Sequence, residues 1–469
     1  MKHYSFLLIL FMALCLSLGN GNKAQAGSLQ TKGVWVSCFE FEELGLKDKT
    51  EAQFRANANK IFATIRANGC NTVYFHVRAY DDAIYPSSVS GFSKYISSDG
   101  KAPGYDPLKI LVSLAHSHKL KIHAWMNPYR VSSTKILDPA SETTTVRIVN
   151  QVKEIINRYA VDGIHFDDYF YPTNIKKYKK VPAATRRQNV NVMVRKVYQT
   201  VKQKKKSLKF GISPAGDITY CEKIGADVRT WLSQSGYVDY IIPQIYWSNN
   251  YIMSGKKTAL FNERLAKWRE INKRDVPMYV GLALYKTGYS LKEDPGWKKS
   301  SGNIASQIRL IRSGNTEGYV FFAYKDLIRS GAAKELKKYY KAIGKITMNK
   351  KKKTLRTGKK YRLKASFWPA NLHGKIKWKS SNKKIAGVSK KGIVKAKKKG
   401  TVRIYATYGT MKKSCKIIAS YEDVSVCDKE IDELKKYWHS KLENFKVNTP
   451  SKAFNSMVNT WNADRKSVV

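Results

Sequence analysis

Strand-like and helix-like stretches alternate from about residue 31 to residue 344, and this alternation restricts the fold more than any other feature of the sequence. Helical patterns such as Ala52–Asn68, Pro107–His118 and Ala183–Lys205 separate the predicted strands. Those strands are Lys32–Phe39, Asn71–Arg78, Lys121–Tyr129, Gly163–Asp168, Lys209–Pro214, Val238–Trp247, Pro277–Tyr285 and Gly318–Tyr324. Eight such units predict an α/β fold, a (β/α)8 TIM barrel. An open doubly wound sheet fits less well, because the stretch lacks a glycine-rich phosphate-binding turn.

The alternation of residues within each strand separates an inner from an outer face. On Lys121–Tyr129, for example, Ile122 and Ala124 oppose His123 and Trp125. The outer face of a barrel packs on helices and must be apolar, so the polar series points inward. We therefore expect a polar and aromatic cup at the mouth, to which Asp167 and Ser213 also contribute. The substrate-binding candidates are Arg78, Trp125, Asn127, Tyr129, Arg130, Gln244, Tyr246, Trp247 and Tyr285.

The fourth predicted strand, Gly163–Asp168, ends in two carboxylates. A cup of polar and aromatic side chains suits carbohydrate, and hydrolysis of a glycosidic bond usually needs two carboxyl groups. Asp167 is the acid in the inward phase at a strand end, so it is the first catalytic candidate. Candidates for the second carboxylate are Asp168, Glu40, Asp81, Asp82 and Asp217.

Asp168 has two competing interpretations. It either takes part in catalysis or caps the loop and pairs with a basic neighbour such as Arg130. Arg78, in turn, would lower the pKa of a carboxylate close to it and so favour a nucleophile or a charge stabiliser over an acid. The histidines at 76, 123 and 165 are interpreted as barrel-core residues, and we predict neither a metal site nor a cofactor.

Residues 1–26 have the pattern of a secretory signal peptide. Lys2 and His3 precede an apolar run from Phe6 to Leu18, and Ala24-Gln25-Ala26 supplies a cleavage site with small residues. No later run is long and apolar enough to predict a transmembrane helix. We expect a secreted protein that is extracellular or associated with the cell wall.

Residues 345–420 carry 22 lysines, 3 arginines and no acidic residue, which gives a net charge of +25. Short alternating stretches such as Tyr361–Ala365, Ile376–Ser380 and Val402–Ala406 predict a small all-β, antiparallel sandwich. Such a charge attracts polyanions, so we interpret this domain as a module that attaches to anionic wall polymers; the alternative is a passive spacer. Binding of nucleic acid would depend on charge alone, and no specific nucleic acid is predicted.

Six segments in the order of the predicted strands resemble one known family. They are Gly33–Ser37, Tyr74–Arg78, His123–Arg130, Asp162–Pro172, Gly211–Pro214 and Pro243–Trp247, and together they look like the glycosyl hydrolase-like family 10. The resemblance implies a barrel associated with bacterial envelopes and with peptidoglycan glycan strands. It also implies that Asp167 and Asp168 are paired acids and that Arg78, Asn127, Gln244 and Tyr246 line the mouth.

Two further resemblances are partial. The fourth strand of family 18 chitinases runs Asp-Gly-x-Asp-x-Asp-x-Glu; here His165 and Tyr169 replace the second Asp and the catalytic Glu, and Asp167 keeps its place. The run from Lys377 to Gly400 resembles a bacterial immunoglobulin-like group 2 domain.

The sequence thus predicts four segments. They are a signal peptide over 1–26, a glycoside hydrolase-like barrel over 27–344, an immunoglobulin-like domain over 345–420 and a tail over 421–469. The tail begins with a predicted amphipathic helix, Asp428–Phe445, and its segment from Asn448 to Trp461 faintly resembles the entrance to helical-toroid sugar phosphorylase domains, as in a truncated remnant. We assign the tail no function.

The predicted function is hydrolysis of glycosidic bonds in an amino-sugar polymer, specifically peptidoglycan glycan strands, by carboxylate acid/base catalysis. The alternative is a non-catalytic glycan-binding wall protein on a degenerate barrel. Strand alternation directs only one acidic side chain, Asp167, into the mouth.

Overall fold

The computed structural model describes residues 30–172, 175–299, 302–314, 316–421, 424–443 and 448–455. The predicted signal peptide and residues 456–469 of the tail lie outside these ranges. The chain divides into two compact units, and the main body of the first ends at Ile343 while the second begins at Gly344. In the part of the chain that is described, no helix has both the length and the apolar character to cross a bilayer.

The first unit is a barrel of eight parallel strands. Isolated bridges from Ile241 to Met278 and from Gln244 to Gly281 join the sixth strand to the seventh and nearly close the barrel. The strands follow one another around it as β1 (Thr31–Val36), β2 (Thr72–Arg78), β3 (Lys121–Met126), β4 (Gly163–Phe166), β5 (Lys209–Ile212), β6 (Tyr240–Ile241), β7 (Tyr279–Ala283) and β8 (Gly318–Phe322). The predicted barrel is confirmed; β2 ends at the predicted residue, Arg78, and the other seven strands end earlier than the sequence pattern suggested.

Helices connect the strands and begin at residues suited to this role. Asp106 accepts a hydrogen bond from the backbone N–H of Lys109 ahead of Pro107, and Thr50 forms a capping box with Gln53. The longer helices of this unit are Glu51–Ala67, Pro107–Ser117, Glu142–Arg158, Ala183–Lys204, Leu260–Ile271, Asn303–Arg312 and Ala333–Ile343, and the shorter ones are Lys176–Lys179, Ile218–Lys223, Val228–Ser233, Gly296–Lys299 and Lys325–Ile328.

Large rings fill the interior of the barrel. The buried cluster comprises Trp35, Tyr74, Trp125, Tyr240, Ile242 and Val320. Space for these rings comes from small residues on neighbouring strands: a Cβ on Gly211 would overlap the ring of Tyr240. The interior is therefore a packed core, and a ligand has access only above it, at the end of the strands.

A β-bulge in β2 changes the direction of its last side chain. His76 pairs with Trp125, but Arg78 pairs with the next residue along β3, Met126. Paired residues of parallel strands point to the same side of the sheet, so Arg78 shares the outer side with Met126 rather than the inner side with Trp125. Of the β2 side chains that the sequence pattern places inside the barrel, His76 is therefore the last one that points inward.

The second unit is rich in strands. Its four-stranded sheet has the order Lys352–Arg356, Met411–Ser420, Gly400–Tyr408, Lys377–Ser380, and its three-stranded sheet has the order Lys360–Arg362, Ile393–Ala396, Ala386–Val388. Lys345–Met348 pairs with Ala365–Trp368. Lys352–Arg356 runs parallel to Met411–Ser420, so the expectation of a wholly antiparallel sandwich was wrong for this pair. Leu355, Ile404 and Ile417 belong to the buried core of this unit.

The tail contains the helix Val424–Glu443, which begins four residues before the predicted Asp428–Phe445. Ile431, Leu434 and Trp438 are about half exposed.

Candidate active site

A cavity of about 230 Å³ lies at the carboxyl ends of the barrel strands. Each of the eight strands, or the loop that follows it, contributes at least one side chain. The lining residues are Trp35, Ser37, Phe39, His76, Trp125, Asn127, Arg130, Asp167, Asp168, Tyr169, Ser213, Gln244, Tyr246, Tyr285 and Phe322. Of the catalytic candidates, Asp167 and Asp168 are in this set, and so are six of the nine predicted substrate-binding residues.

Asp167 follows directly on the end of β4 and is buried. The indole Nε1 of Trp125 donates to its Oδ2 over 3.4 Å, and the backbone N–H of Tyr169 donates to its Oδ1 over 3.3 Å. Burial raises the pKa of Asp167 well above its usual value, and the charge of Asp168 raises it further. Asp167 is therefore suited to hold a proton at neutral pH.

Asp168 is partly exposed in the same cavity. Burial raises its pKa to about 6, while a hydrogen bond from Gln244 and the charge of Arg130 act in the opposite direction. Asp168 is thus mostly ionised at pH 7. Two neighbouring carboxyl groups in different protonation states provide a proton donor and an anion in one cavity, which is the division of roles that glycoside hydrolysis requires.

Trp125 rests on His76, and both residues line the cavity. Their ring centroids are 3.8 Å apart with an interplanar angle of 8°. The backbone N–H of Cys38 donates to Nδ1 of His76 over 3.4 Å, and burial lowers the pKa of His76 to about 3, so the ring is neutral. The side chain of Asn127 acts on His76 as a hydrogen-bonding neighbour and partly offsets the fall of its pKa, and neither Nε2 of His76 nor Oδ1 of Asn127 has another partner among the described residues. A polar ligand in the cavity could supply partners for both atoms.

Aromatic and basic side chains form the rim. The guanidinium of Arg130 lies 4.1 Å from the ring centre of Tyr169, which is 48% exposed. On the opposite side, the rings of Tyr246 and Tyr285 meet edge to face at 5.8 Å. Gln244 Nε2 donates to the carbonyl oxygen of Ser213 over 2.9 Å. This rim offers flat surfaces and hydrogen-bonding groups, which are the features that sugar rings use.

Six lining residues were not among the predicted site residues: Trp35, Ser37, Phe39, His76, Tyr169 and Phe322. His76 was assigned to the core, although its inward phase just below the mouth was a usable signal. Phe39 and Tyr169 lie beyond the ends of β1 and β4, where strand alternation no longer indicates direction. The comparison with family 18 chitinases put Tyr169 at the position of the catalytic Glu but did not place its side chain in the mouth.

Arg78 and Glu40 are not among the cavity-lining residues. Because of the bulge, the guanidinium of Arg78 binds Asp81 at 3.0 Å and the carbonyl of Asn127. It therefore helps to lower the pKa of Asp81 rather than that of Asp167; burial of Asp81 opposes this, and hydrogen bonds from Arg147 add to it. Glu40 lies on the 3-10 helix Cys38–Glu40 and is buried, and burial raises its pKa to about 8.

Tyr129 and Trp247 are also outside the lining. Tyr129 is fully buried and packs edge to face against Phe170, with ring centroids 6.3 Å apart. The ring of Trp247 lies under the guanidinium of Arg264 at 5.7 Å. Both residues follow the ends of their strands, where the backbone no longer keeps the two-residue period that placed them inward.

His123 and His165 lie deeper in the barrel. His165 Nε2 accepts from the indole of Trp35 over 3.1 Å, and the hydroxyl of Tyr240 lies 2.9 Å from Nδ1 of His123. The two rings are thus held by hydrogen bonds within the core. In the described ranges, no group of three or more His, Cys, Asp or Glu side chains is arranged to hold a metal ion.

The family model of glycosyl hydrolase-like 10 matches residues 30–146, 132–187 and 179–299. The chain belongs to this family. Glycosyl hydrolase YngK of Bacillus subtilis is 30% identical over 360 residues, which cover 64% of this chain and 69% of the relative. Glycosyl hydrolase DigH of Escherichia coli is 32% identical over 300 residues, covering 50% of this chain and 66% of the relative. This member of glycosyl hydrolase-like family 10 is therefore a glycoside hydrolase.

Two other matches extend the description. The model of the bacterial Ig-like domain, group 2, matches residues 342–418, which contain the strands of the second unit except for the last two residues of Met411–Ser420. Among solved structures, the PgaB (BpsB) glycoside hydrolase domain from Bordetella bronchiseptica has a TM-score of 0.47 and 12% identity, and covers 66% of this chain and 98% of that chain. This likeness does not identify a substrate.

Proposed function

We propose that this glycoside hydrolase cleaves an amino-sugar polymer, namely the glycan strands of peptidoglycan, outside the cell. The observation that carries the proposal is the carboxyl pair: Asp167 is suited to be protonated and Asp168 to be ionised at pH 7 in the same cavity. A sugar bound in this cavity would contact both a proton donor and an anion.

In the proposed reaction, Asp167 donates its proton to the oxygen of the leaving sugar. Asp168, as the anion, either attacks the anomeric carbon or activates the water that does so. Burial raises the pKa of Asp167 and so favours its protonated form, and the charge of Arg130 supports the ionised form of Asp168.

The cavity wall supports a preference for N-acetylated sugars. Trp125 stacks on His76, which holds its indole rigidly, and the part of the ring that lines the cavity can contact the flat face of a pyranose ring. Asn127 lines the cavity, and its Oδ1 can accept a hydrogen bond from an acetamido N–H. A plain glucan lacks this donor, so we expect weaker binding of glucans than of amino-sugar chains.

The place of action is part of the same proposal. The pattern in residues 1–26 favours export, and the net charge of +25 over residues 345–420 favours attachment of the immunoglobulin-like domain to anionic polymers of the wall. Attachment would keep the barrel near insoluble substrate, where a high local concentration compensates for weak binding at the cavity.

The test is release of reducing ends from purified glycan strands freed of peptide stems, with chitin and cellulose oligosaccharides as comparison substrates. The proposal predicts cleavage of the stem-free strands and at least tenfold lower kcat/KM on cellulose fragments. Equal kcat/KM on all three substrates would remove the amino-sugar assignment. If the strands are retained without release of reducing ends, the protein acts on them as a glycan-binding protein only.

A further inference from the structure

One face of the four-stranded sheet in the immunoglobulin-like domain carries only basic charged residues. Residues on the opposite face, such as Leu355, Ile404 and Ile417, are buried in the core of the domain. The alternate residues on the same strands point to solvent. We define the cationic face by its exposed basic residues: Lys352, Arg356, Lys377, Lys379, Arg403, Lys412 and Lys416.

Strand pairing places like charges directly opposite each other on this face. Lys416 pairs with Lys352 on one side and with Arg403 on the other, which gives a row of three cations across three strands. Lys377 and Lys412 both pair with Thr407 in a parallel row. Side chains in such pairs have Cβ atoms about 4.5–5.5 Å apart, and like charges there destabilise a sheet.

The domain contains no acid that could relieve this repulsion, because the sequence has none between Glu335 and Glu422. A sheet that repels itself gains stability from any bound polyanion that approaches its charges. We propose that the cationic face binds a linear polyol phosphate, a polymer of phosphodiester-linked units. This inference rests on the proposed attachment role of the domain and is independent of catalysis in the barrel.

The spacing of the charges favours a phosphodiester chain. Side chains on the same face of a strand recur at intervals of about 6.8 Å, and neighbouring strands are about 4.8 Å apart, so the charges form an open grid on a flat surface. In a polyol phosphate the alcohol spacer separates successive phosphates. In inorganic polyphosphate a single oxygen separates them, which packs negative charge more densely than this grid.

Two other classes of partner fit less well. A lipid surface would be bound more firmly if apolar side chains could insert, but no large hydrophobic side chain is exposed between residues 345 and 420, all of which are described. Single-stranded nucleic acid needs exposed rings for base stacking. Tyr405, at the centre of the face, lies under Nζ of Lys412, which is 4.1 Å from its ring centre.

The test uses the full chain with a synthetic poly(glycerol phosphate) oligomer as the probe, titrated at several salt concentrations. The face variant is Lys352→Gln, Arg403→Gln, Lys416→Gln. The control variant, Lys383→Gln, Lys384→Gln, Lys391→Gln, removes the same charge from exposed turns outside the sheet face. We expect binding of the probe to weaken at least tenfold in the face variant and about twofold in the control.

The salt dependence gives a second readout. The magnitude of the slope of the logarithm of the association constant against the logarithm of salt concentration should fall by about two in the face variant. Equal losses in both variants would overturn the proposal.

Three further measurements test the role of charge and the choice of polymer. Without the probe, the face variant should melt at or above the wild-type temperature, because its row of like charges is gone. A second variant, Lys352→Arg, Lys416→Arg, keeps the charge and should bind like wild type; binding as weak as in the face variant overturns the charge argument. Tighter binding to inorganic polyphosphate, phosphatidylglycerol vesicles or single-stranded DNA than to the probe, at equal phosphate concentration, overturns the choice of polymer. Cleavage of soluble glycan fragments, measured on the same samples, shows separately whether the proposed substrate holds.

Discussion

Replacing Asp168 with Asn distinguishes a catalytic carboxylate from a structural one by thermal stability. A carboxyl with a pKa of about 6 in the folded chain, and of about 4 when unfolded, binds its proton more tightly in the folded state. Ionising it at pH 7 then costs the folded state about 3 kcal/mol if the group is fully buried. Because Asp168 keeps some contact with solvent, we expect about half of this amount.

The difference in stability between Asp168→Asn and the wild type depends on pH. Since the folded pKa of Asp168 is raised, the wild type loses stability as the pH rises from about 4 to about 6, and the loss is constant above that. The neutral amide of Asp168→Asn does not titrate. The variant should therefore melt at the wild-type temperature at pH 4 and a few degrees above it at pH 7.

The assay is calorimetry of both proteins at pH 4, 5, 6 and 7, with glycan cleavage measured on the same preparations. We expect the stabilised variant to lose activity by about 10² to 10⁴, which is typical for loss of an acid or base. A melting temperature below that of the wild type at pH 7 would refute the reasoning. Such a result would mean that the charge of Asp168 stabilises the fold, by pairing with Arg130 or by capping the loop, and that Asp168 is a structural residue.

Three further predictions concern single side chains. Asp167→Asn should keep the melting temperature and lower kcat by about 10² to 10⁴, and wild-type turnover would remove Asp167 from the mechanism. Trp125→Ala should weaken binding of N-acetylated oligosaccharides, measured by titration calorimetry, more than binding of cellulose fragments; equal losses with earlier melting would indicate core packing instead. Glu40→Gln should leave kcat/KM within about twofold, because Glu40 is outside the cavity lining and its pKa of about 8 keeps it mostly protonated at pH 7. A tenfold loss would return Glu40 to the catalytic candidates.

The sequence predicted the barrel and the centre of the site because both depend on strict periodicity. Buried parallel strands give apolar runs, and alternation within them placed Trp125 inside the mouth and still held for Asn127, one residue past β3. Asp167 follows β4 directly, so its direction was still set by the strand. These positions need no knowledge of distant contacts.

The remaining placements failed where that periodicity ended. One bulged residue in β2 turned Arg78 toward Asp81, and a bulge leaves no signal in the pattern of apolar residues. Tyr129 and Trp247 lie past the last residue of a strand, where tertiary packing decides direction. Phe39 and Tyr169 reached the cavity for the same reason.

The mass of the products formed in ¹⁸O-labelled water tests the account most directly. Wild-type protein acting on stem-free amino-sugar strands should yield fragments that have each gained one water, with one ¹⁸O at the new reducing end, and Asp167→Asn should yield almost none. Anhydro products that contain no ¹⁸O, or strands that are bound and recovered intact, would contradict hydrolysis by the Asp167 and Asp168 pair.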